Sequence, residues 1–317
     1  MRFYEYLLYE LYDIKRWSMT ERDEFVSAHI HWPIVNKCND TTWWAVTEDK
    51  WLSSVFLEHH GVPTPKSMAI YDVGSRLYPD LPKLSGAAEV RAFLTACDSF
   101  PLFAKPVGGM WSAGAMRIVG CTDTHVILDG RDTVTFEVFA DQVLGDQSYF
   151  FQTCLKPHAF FDGITTATVR SLNLIGKDGL SVPYTLLKLP RGANVADNFW
   201  RPGNLVCTLD PETGEILNMV ANDGGKRIEL DALPDGERAL LGERLPCWKE
   251  VRALNERVAL LHGVNRFGST DIAITEDGPV VVEVNTGCAF ELIQIATGRG
   301  LLTPDMTRFL NDCGVNI

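Results

Sequence analysis

The spacing of hydrophobic residues changes along the chain and predicts helices first and hairpins later. Near the N-terminus apolar pairs recur every four residues, which is a helical period. These pairs are Phe3/Tyr4, Leu7/Leu8 and Leu11/Tyr12. Beyond about residue 160, runs of alternating apolar and polar residues flank turns that contain Asp and Gly, a pattern typical of antiparallel hairpins. A chain that mixes helices with many hairpins is expected to have an α+β fold rather than a doubly wound parallel sheet.

The same patterns predict individual elements and three segments. Helices are expected at 51–56, 85–96, 135–143, 248–261 and 291–296, and strands at 102–105, 115–119, 126–128 and 149–153. Hairpins are expected where 166–175 meets 180–189, 205–209 meets 215–221 and 269–274 meets 279–284. Residues 29–44 lack periodicity and are expected to be irregular. The segments are a helical N-terminal part at 1–45, a subdomain with a lysine and a glycine-rich loop at 46–155, and an antiparallel-sheet subdomain at 156–317.

Composition and charge exclude several classes of protein. With 317 residues, 46% of them hydrophobic and 22% charged, the chain has a globular composition, which excludes general disorder. The net charge of −12 argues against broad nucleic-acid binding but leaves room for a local basic pocket that holds a nucleotide. No stretch is apolar enough to span a membrane, and the eight scattered cysteines form no CxxC pair. We therefore expect a soluble, cytoplasmic protein with reduced thiols.

The hairpin at 269–284 carries the clearest candidate site. Glu283 and Asn285 are two residues apart and therefore face the same side of a strand. A three-residue loop at 276–278 would put Asp271 opposite Glu283, whereas a two-residue turn at 277–278 would move it to the other face. Two adjacent carboxylates and an amide oxygen suit Mg²⁺. The alternative is that these side chains lie on a solvated face of the sheet. Both strands are otherwise apolar, which argues against this alternative because apolar strands are usually buried.

A lysine, a glycine-rich loop and an arginine are weaker candidates. Lys105 ends an apolar strand just before the loop at 108–114, whose backbone N–H groups could bind an anion such as phosphate. The alternative is a hairpin turn beside a surface lysine. The loop matches neither the P-loop nor the Rossmann fingerprint. Arg170 lies inside an alternating strand, where it could pair with a phosphate or form a structural salt bridge with a carboxylate.

The remaining features give little support for a further metal site or a catalytic nucleophile. His29 and His31 could bind a metal, but the aromatic residues around them favour ordinary packing. Cys288 follows the acidic strand, but no partner that would activate it as a nucleophile is visible in the sequence. A GxSxG motif does not occur, so serine hydrolase chemistry has no support.

Taken in order, these elements resemble the ATP-grasp superfamily, in which a lysine strand and a glycine loop precede an adenine-binding hinge and an acidic E-x-N strand. Residues 103–106 are similar to the lysine strand, and 151–155 are similar to the hinge. The closest branch is the sugar-transfer-associated ATP-grasp proteins, which are related to α-L-glutamate ligase-like sequences. The matching phrases are at 168–170, 197–199, 209–214, 246–248 and 271–279. The resemblance runs from about residue 45 to the C-terminus.

The resemblance implies a fold of two α+β subdomains that grip ATP, and it assigns roles to residues. ATP would be bound by Lys50, Lys105, Gly108, Gly109, Gln152, Thr153, Cys154 and Leu155. Asp271, Glu283 and Asn285 would bind Mg²⁺, and Arg170 and Lys105 would be catalytic. Two departures are the hinge residue Gln152, where many relatives have an acidic residue, and an N-terminal segment shorter than the substrate domain of relatives.

The implied activity is that of a carboxylate–amine ligase that forms an acyl phosphate and releases ADP and phosphate. Its substrates would be a small-molecule or glycan-linked carboxylate and an amine, with no nucleic acid as partner. An ATP-grasp kinase and a nucleotide-binding module without catalysis stay as alternatives. The sequence identifies neither the substrates nor the oligomeric state.

Overall fold

The computed structural model describes residues 3–109, 112–130, 133–164, 167–192, 194–234 and 238–316. Met110 and Trp111 of the predicted glycine-rich loop and Thr166 of a predicted strand lie outside the described residues. The chain forms two compact units. We call Ala45–Lys156 the glycine-loop unit, and Met1–Trp44 together with Pro157–Ile317 the hairpin unit.

The described residues form the following helices and strands. The helices are α1 (Phe3–Leu11), α2 (Met19–Arg22), α3 (His31–Cys38), α4 (Trp44–Glu48), α5 (Lys50–His59), α6 (Ala87–Ala96), α7 (Phe136–Val138, continued by a π-helix at Phe139–Leu144), α8 (Trp248–Leu261), α9 (Phe290–Thr297) and α10 (Pro304–Asp312). The strands are β1 (Ser67–Tyr71), β2 (Lys83–Leu84), β3 (Leu102–Pro106), β4 (Met116–Cys121), β5 (His125–Leu128), β6 (Val134–Thr135), β7 (Tyr149–Thr153), β8 (Thr168–Gly176), β9 (Gly179–Leu189), β10 (Leu205–Leu209), β11 (Val220–Asp223), β12 (Lys226–Glu229), β13 (Phe267–Thr275) and β14 (Gly278–Asn285).

The glycine-loop unit is built on a sheet with the order β2-β1-β7-β3-β4-β5-β6. Its neighbouring strands are antiparallel, except for β1 and β2, which are parallel. One face packs against the apolar side of α6, where Val90 and Leu94 are fully buried. Because side chains alternate across a strand, Phe150 and Lys105, which are directly opposite each other, lie on one face of the sheet.

The hairpin unit is built on a fully antiparallel sheet with the order β12-β11-β10-β9-β8-β13-β14. Every residue of β13 is buried, as expected for a central strand that is covered on both faces. One face packs against α8, where Asn255 and Asn173 exchange amide hydrogen bonds of 2.8 and 3.1 Å. The α+β fold class predicted from the sequence is confirmed.

The helices before residue 45 share the core of the hairpin unit. Leu8, Leu11 and Val35 are fully buried in one cluster that also contains Phe267 and Phe290. A buried amide fixes this packing, because the Gln294 side chain accepts from the Val26 N–H at 2.7 Å and donates to its carbonyl at 3.0 Å. The predicted domain limits at 45/46 and 155/156 stay a prediction.

The structure corrects one prediction about secondary structure and adds one helix that was not predicted. Residues 29–44, expected to be irregular, contain α3 and two 3₁₀ turns, Ala28–Ile30 and Thr41–Trp43. These short helices form because their apolar residues reach the core and Asp40 caps the second turn by accepting from the Thr42 N–H at 2.9 Å. The sequence also gave no prediction for α10, which begins after a Thr303 N-cap. Among the described residues no helix is long and apolar enough to cross a membrane.

Candidate active site

The register of the β13–β14 hairpin brings Asp271 and Glu283 together. Thr275 pairs with Gly278, so the hairpin loop consists of Glu276 and Asp277 alone. Continued regularly, this register would put Asp271 opposite residue 282, and its side chain would miss Glu283. A β-bulge next to Asp271 adds one residue to β14 and restores the pairing of Asp271 with Glu283.

The predicted pairing of Asp271 with Glu283 is therefore confirmed, but the predicted three-residue loop is wrong. The predicted pairing came from counting residues along both strands from the turn, as if the hydrogen-bond ladder were unbroken. In the structure the turn is one residue shorter and the bulge compensates for it. Bulges commonly redirect side chains beside functional sites, which is their effect here.

Three successive rows of residues cross this face of the sheet from β8 to β14. The first row contains Arg170, Asp271 and Glu283, which are direct neighbours on β8, β13 and β14. The second contains Leu172, Ser269 and Asn285, and the third contains Leu174 and Phe267. The face thus changes from charged to apolar within three rows.

Asp271 forms a network with two cations. The Arg170 guanidinium binds its carboxylate through two hydrogen bonds, from Nε to Oδ1 at 2.7 Å and from Nη2 to Oδ2 at 2.6 Å. Lys188 of β9 donates from Nζ to Oδ2 of Asp271 at 3.0 Å. The same ammonium lies 3.2 Å from Asp197 Oδ2, and Thr168 donates its hydroxyl to that carboxylate. The result is a buried cluster of alternating charges.

The electrostatics of the cluster keep Asp271 ionised. Burial acts to raise the pKa of Asp271, but the charges of Arg170 and Lys188 outweigh it, and the net pKa lies well below the usual range. Burial likewise acts to lower the pKa of Arg170, but Asp271 raises it, with a smaller contribution from Glu283. Arg170 and Asp271 are therefore a charged pair at neutral pH.

Lys188 was missed by the sequence argument. It stands in the apolar run 184–189 and is only 5% exposed. A lysine buried in a strand requires an anionic partner, and this alone could have marked it. The sequence did not indicate which partner, because Asp271 is 83 residues away along the chain.

Asn285 lies beside the charged row. Its Nδ2 atom is buried and has no hydrogen-bond partner among the described residues. Its backbone carbonyl accepts from Asn265 Nδ2 at 3.1 Å, and the neighbouring Ser269 donates its hydroxyl to the Gly287 carbonyl at 2.8 Å. The end of β14 is thus fixed by its surroundings, while the side-chain Nδ2 remains available to a hydrogen-bond acceptor.

The donor set fits Mg²⁺ when the ion arrives with phosphate. Asp271, Glu283 and Asn285 offer hard oxygen ligands on one face, and Asp271 is ionised. In the described part of the chain, no three Asp, Glu, His or Cys side chains converge as a metal site. Arg170 and Lys188 already neutralise Asp271, so a bare cation would compete with them. Phosphate oxygens would instead give both cations new partners.

In the glycine-loop unit, Lys105 and Lys50 both lie next to the glycine loop. Lys105 is 8% exposed and stands one residue before the end of β3. Lys50 begins α5, donates its backbone N–H to the Val107 carbonyl at 3.0 Å and its ammonium to the Gly109 carbonyl at 2.5 Å. The two lysines predicted from the resemblance therefore flank the first residues of the loop.

Asp49 fixes Lys50 at the start of α5. Its carboxylate caps the helix by accepting from the Leu52 N–H at 2.9 Å, and its backbone pairs with Gly108. Arg76 binds the other carboxylate oxygen and lies over the Trp51 ring at 4.9 Å. These contacts tie α5 to the glycine loop.

The glycine loop borders a cavity of about 500 Å³ within the same unit. Its walls include Gly108, Gly109, Gly114, Gln142, Gln147 and Tyr149. Gly114 has φ +75°, and a Cβ there would lie 2.7 Å from the Tyr149 hydroxyl. Glycine is therefore required at this position both by the backbone and by the close approach.

The predicted hinge makes its nearest contacts within its own unit. Gln152 is buried and donates from its side chain to the Pro65 carbonyl at 3.1 Å. The backbone N–H groups of Thr153 and Cys154 donate to Lys66 and Pro101 at 3.0 and 3.2 Å. Burial raises the pKa of Cys154, and Leu155 is half-buried. Contact between these residues and adenine stays a prediction. The Gln152 side chain already donates a hydrogen bond to Pro65.

Comparison with known proteins identifies the family. The chain has two α+β units, one with a lysine strand and glycine loop and the other with an acidic hairpin, which is the arrangement of elements expected of an ATP-grasp protein. Residues 33–308 match the family described as sugar-transfer associated ATP-grasp. The chain belongs to this family, and the predicted ATP-grasp fold is confirmed. Comparison with curated protein sequences gives no match.

Solved structures with a similar fold are distant in sequence. The D-Ala:D-Ser ligase VanG from Enterococcus faecalis is 13% identical, with a TM-score of 0.43 over 87% of this chain and 63% of that one. The D-alanine–D-alanine ligase from Helicobacter pylori is 13% identical, with a TM-score of 0.43 over 84% and 60%. Phosphoribosylamine–glycine ligase from Thermotoga maritima is 8% identical, with a TM-score of 0.49 over 93% and 65%. The chain thus spans less than two thirds of the length of these structures.

Proposed function

We propose that the chain is an ATP-dependent carboxylate–amine ligase that forms an acyl phosphate and releases ADP and phosphate. The observation that supports this most strongly is the row of Arg170, Asp271 and Glu283, in which Asp271 is buried and Lys188 binds the same Asp271 carboxylate. Membership of the ATP-grasp family supports the choice of ATP as the phosphate donor.

The charges of the row suit a polyphosphate with its metal. Arg170 and Lys188 offer N–H donors to phosphate oxygens, and Arg170 has further N–H groups besides the two that bind Asp271. Asp271, Glu283 and Asn285 would hold Mg²⁺, which when bound would neutralise charge on the phosphates. Arg170 and Lys188 both bind Asp271. A hydrogen bond that either cation gives up to this carboxylate can therefore be replaced by a hydrogen bond to phosphate.

In this proposal the chain's own residues hold charge in place and exclude water. A carboxylate oxygen of the substrate attacks the γ-phosphorus and ADP leaves, which gives an acyl phosphate. The nitrogen of the amine then attacks the acyl carbon, phosphate leaves and the amine loses a proton. Arg170, rigidly held by Asp271, would stabilise the negative charge that develops in both steps. Lys50 and Lys105 would bind phosphate, and the loop that contains Gly108 and Gly109 would protect the acyl phosphate from water.

The proposal also commits to a substrate class. The resemblance points to a small-molecule or glycan-linked carboxylate and an amine, and the family description associates its members with sugar transfer. Neither substrate can be read from the residues of the row, because these would contact groups that all such reactions share.

An ADP-release screen tests the proposal. The chain is incubated with Mg-ATP and a matrix of carboxylic acids and amines, ADP is followed by a coupled assay, and products are identified by mass spectrometry. We expect ADP, phosphate and an amide only when both an acid and an amine are present. A matched control is Asp312→Asn, which removes an exposed carboxylate that pairs with Lys177 at 3.1 Å and should leave the rate unchanged.

Two outcomes would contradict the ligase. Transfer of phosphate to a single acceptor without any amine would identify a kinase. Binding of Mg-ATP in calorimetry, with no ADP from any pair of substrates, would favour a nucleotide-binding module.

A further inference from the structure

Lys188 lies between two buried carboxylates that come from different parts of the hairpin unit. Its Nζ atom is 3.0 Å from Asp271 Oδ2 and 3.2 Å from Asp197 Oδ2. Asp271 belongs to the acidic hairpin, whereas Asp197 belongs to the loop between β9 and β10. The exposed fractions of Lys188, Asp197 and Asp271 are 5%, 9% and 3%. Lys188 therefore keeps an anionic partner on one side if it gives up the other.

The loop that carries Asp197 is held in place by a buried amide. Asn204 is 1% exposed and donates from Nδ2 to the carbonyls of Ala196 and Asn198, each at 2.8 Å. Its Oδ1 accepts from the Arg191 N–H at 2.9 Å. Thr168 donates its hydroxyl to the Asp197 carboxylate from β8. The backbone on either side of Asp197 is thus fixed by Asn204, and its carboxylate keeps an uncharged donor, Thr168, in addition to Lys188.

The two cations on Asp271 differ in how easily they can leave it. Arg170 binds both carboxylate oxygens through its fork, so its release would break two short hydrogen bonds. Lys188 makes one contact with Asp271, and its flexible stem can turn the ammonium without moving the strand. When another cation engages Asp271, Lys188 is therefore the partner that moves.

We propose that Asp197 is a positioning residue for Lys188: it keeps the ammonium paired when a metal–polyphosphate engages Asp271, so that Lys188 meets the phosphate. This inference rests on the proposed function and adds a residue that the family resemblance did not assign. Without Asp197, release of Asp271 would leave a buried ammonium with no carboxylate partner, which is strongly unfavourable. Lys188 would then stay on Asp271 and compete with the metal.

Nucleotide affinity measured with and without Mg²⁺ tests the inference. ATP is titrated into wild type and Asp197→Asn by calorimetry, once with excess Mg²⁺ and once with a chelator. In Asp197→Asn we expect the gain in affinity due to Mg²⁺ to fall by about tenfold, because Lys188 now holds Asp271. Affinity for Mg-free ATP should stay equal or rise, because a negative charge has been removed near the phosphates. A purely structural role would weaken both measurements alike.

Three variants complete the test. Asp312→Asn makes the same chemical change at an exposed ion pair and should leave both affinities at wild-type values. In a Lys188→Met background, Asp197→Asn should change the Mg²⁺-dependent gain by less than about twofold, because the residue it positions is gone. If Asp197→Asn does not fold, Thr168→Val removes the hydroxyl that holds Asp197 and should lower the gain by about threefold.

An unchanged Mg²⁺-dependent gain in Asp197→Asn would overturn the inference and leave the proposed function standing. Persistence of the full effect in the Lys188→Met background would do the same. Failure of wild type to bind ATP under either condition would overturn the proposed function and the inference together.

Discussion

The two ends of one sheet face in the hairpin unit solve opposite problems. At one end, Asp271 is buried and paired with the half-buried Arg170. Two rows further along the same strands, at a distance of roughly 13 Å, Leu174 and Phe267 lie in the hydrophobic core. The row between them pairs the polar Ser269 with the apolar Leu172, so the face changes there from charged to apolar.

This difference shows how a rigid site is built from marginal interactions. Burying charges costs free energy that paired charges only partly recover, so the charged end contributes little to the stability of the fold. The apolar end, which the N-terminal helices cover, supplies that stability. We therefore expect folding to suffer when the buried pairing of Asp271 is broken or the apolar end is truncated, and function alone to suffer when a charged residue is changed with that pairing intact.

Asp271→Ala should have the largest effect on folding. The change leaves Arg170 and Lys188 buried without the carboxylate that they share, which should cost about 4 kcal/mol of unfolding free energy. Urea denaturation followed by circular dichroism measures the cost. The exposed pair of Lys177 and Asp312 is the control, since Asp312→Asn should change stability by less than about 0.5 kcal/mol. Equal effects of the two substitutions would contradict the buried pairing.

Leu11→Ala tests the apolar end through the N-terminal helices. Leu11 is fully buried in the cluster that contains Phe267, so truncation should leave a cavity and cost about 3 kcal/mol. The same urea titration applies. Met19 in the neighbouring helix is 70% exposed, and Met19→Ala should cost less than about 0.5 kcal/mol. A cost below about 1 kcal/mol for Leu11→Ala would show that the N-terminal helices contribute little to this core.

His31 should make the apolar end sensitive to acid. Its Nε2 lies 3.2 Å from the Cys288 carbonyl and its ring packs edge-on against Phe290 at 4.7 Å. Burial lowers the pKa of His31 to about 4. Since the unfolded state binds more protons between that value and about 6.5, stability falls as the pH decreases through this window. The loss between pH 7 and pH 5 should be about 2 kcal/mol.

His31→Gln removes this titration and should therefore flatten the decrease in unfolding free energy between pH 7 and pH 5. His59→Gln is the control, because His59 is exposed at the end of α5 in the other unit, and its pH profile should match wild type. A profile of His31→Gln that parallels wild type would contradict the assignment.

Local patterns predicted the parts of the molecule that depend on local physics. The strand β7 and the helix α8 were predicted with the same bounds as in the structure, because a short apolar run and helical spacing are both visible in the sequence. Counting residues outward from an assumed three-residue loop at 276–278 predicted that Asp271 and Glu283 meet. The prediction reached the correct pairing with the wrong loop, because a bulge leaves no sign in the pattern.

Residues whose partners are distant in the chain could not be predicted. Lys188 lies in an apolar run, and both Asp197 and Asp271 reach it only through the fold. His31, predicted to pack, does so against Phe290, a contact of the N-terminal segment with α9 that no local pattern contains. Local structure also failed at 29–44, where tertiary packing rather than periodicity stabilises short helices.

Glu283→Gln should have the smallest effect on folding and still abolish turnover. Glu283 is half-buried beside Asp271, and its loss leaves the bonds of Arg170 and Lys188 to Asp271 in place. Unfolding free energy should therefore change by less than about 1 kcal/mol. Under the proposed function the rate of ADP release should fall by at least about 100-fold, because a carboxylate that would hold the phosphate-neutralising Mg²⁺ is missing. Glu276→Gln, in the exposed turn of the same hairpin, makes the same chemical change and should leave the rate at the wild-type value. Near-normal ADP release by Glu283→Gln would remove the metal assignment, whereas a large loss of stability would show that the charged end supports the fold after all.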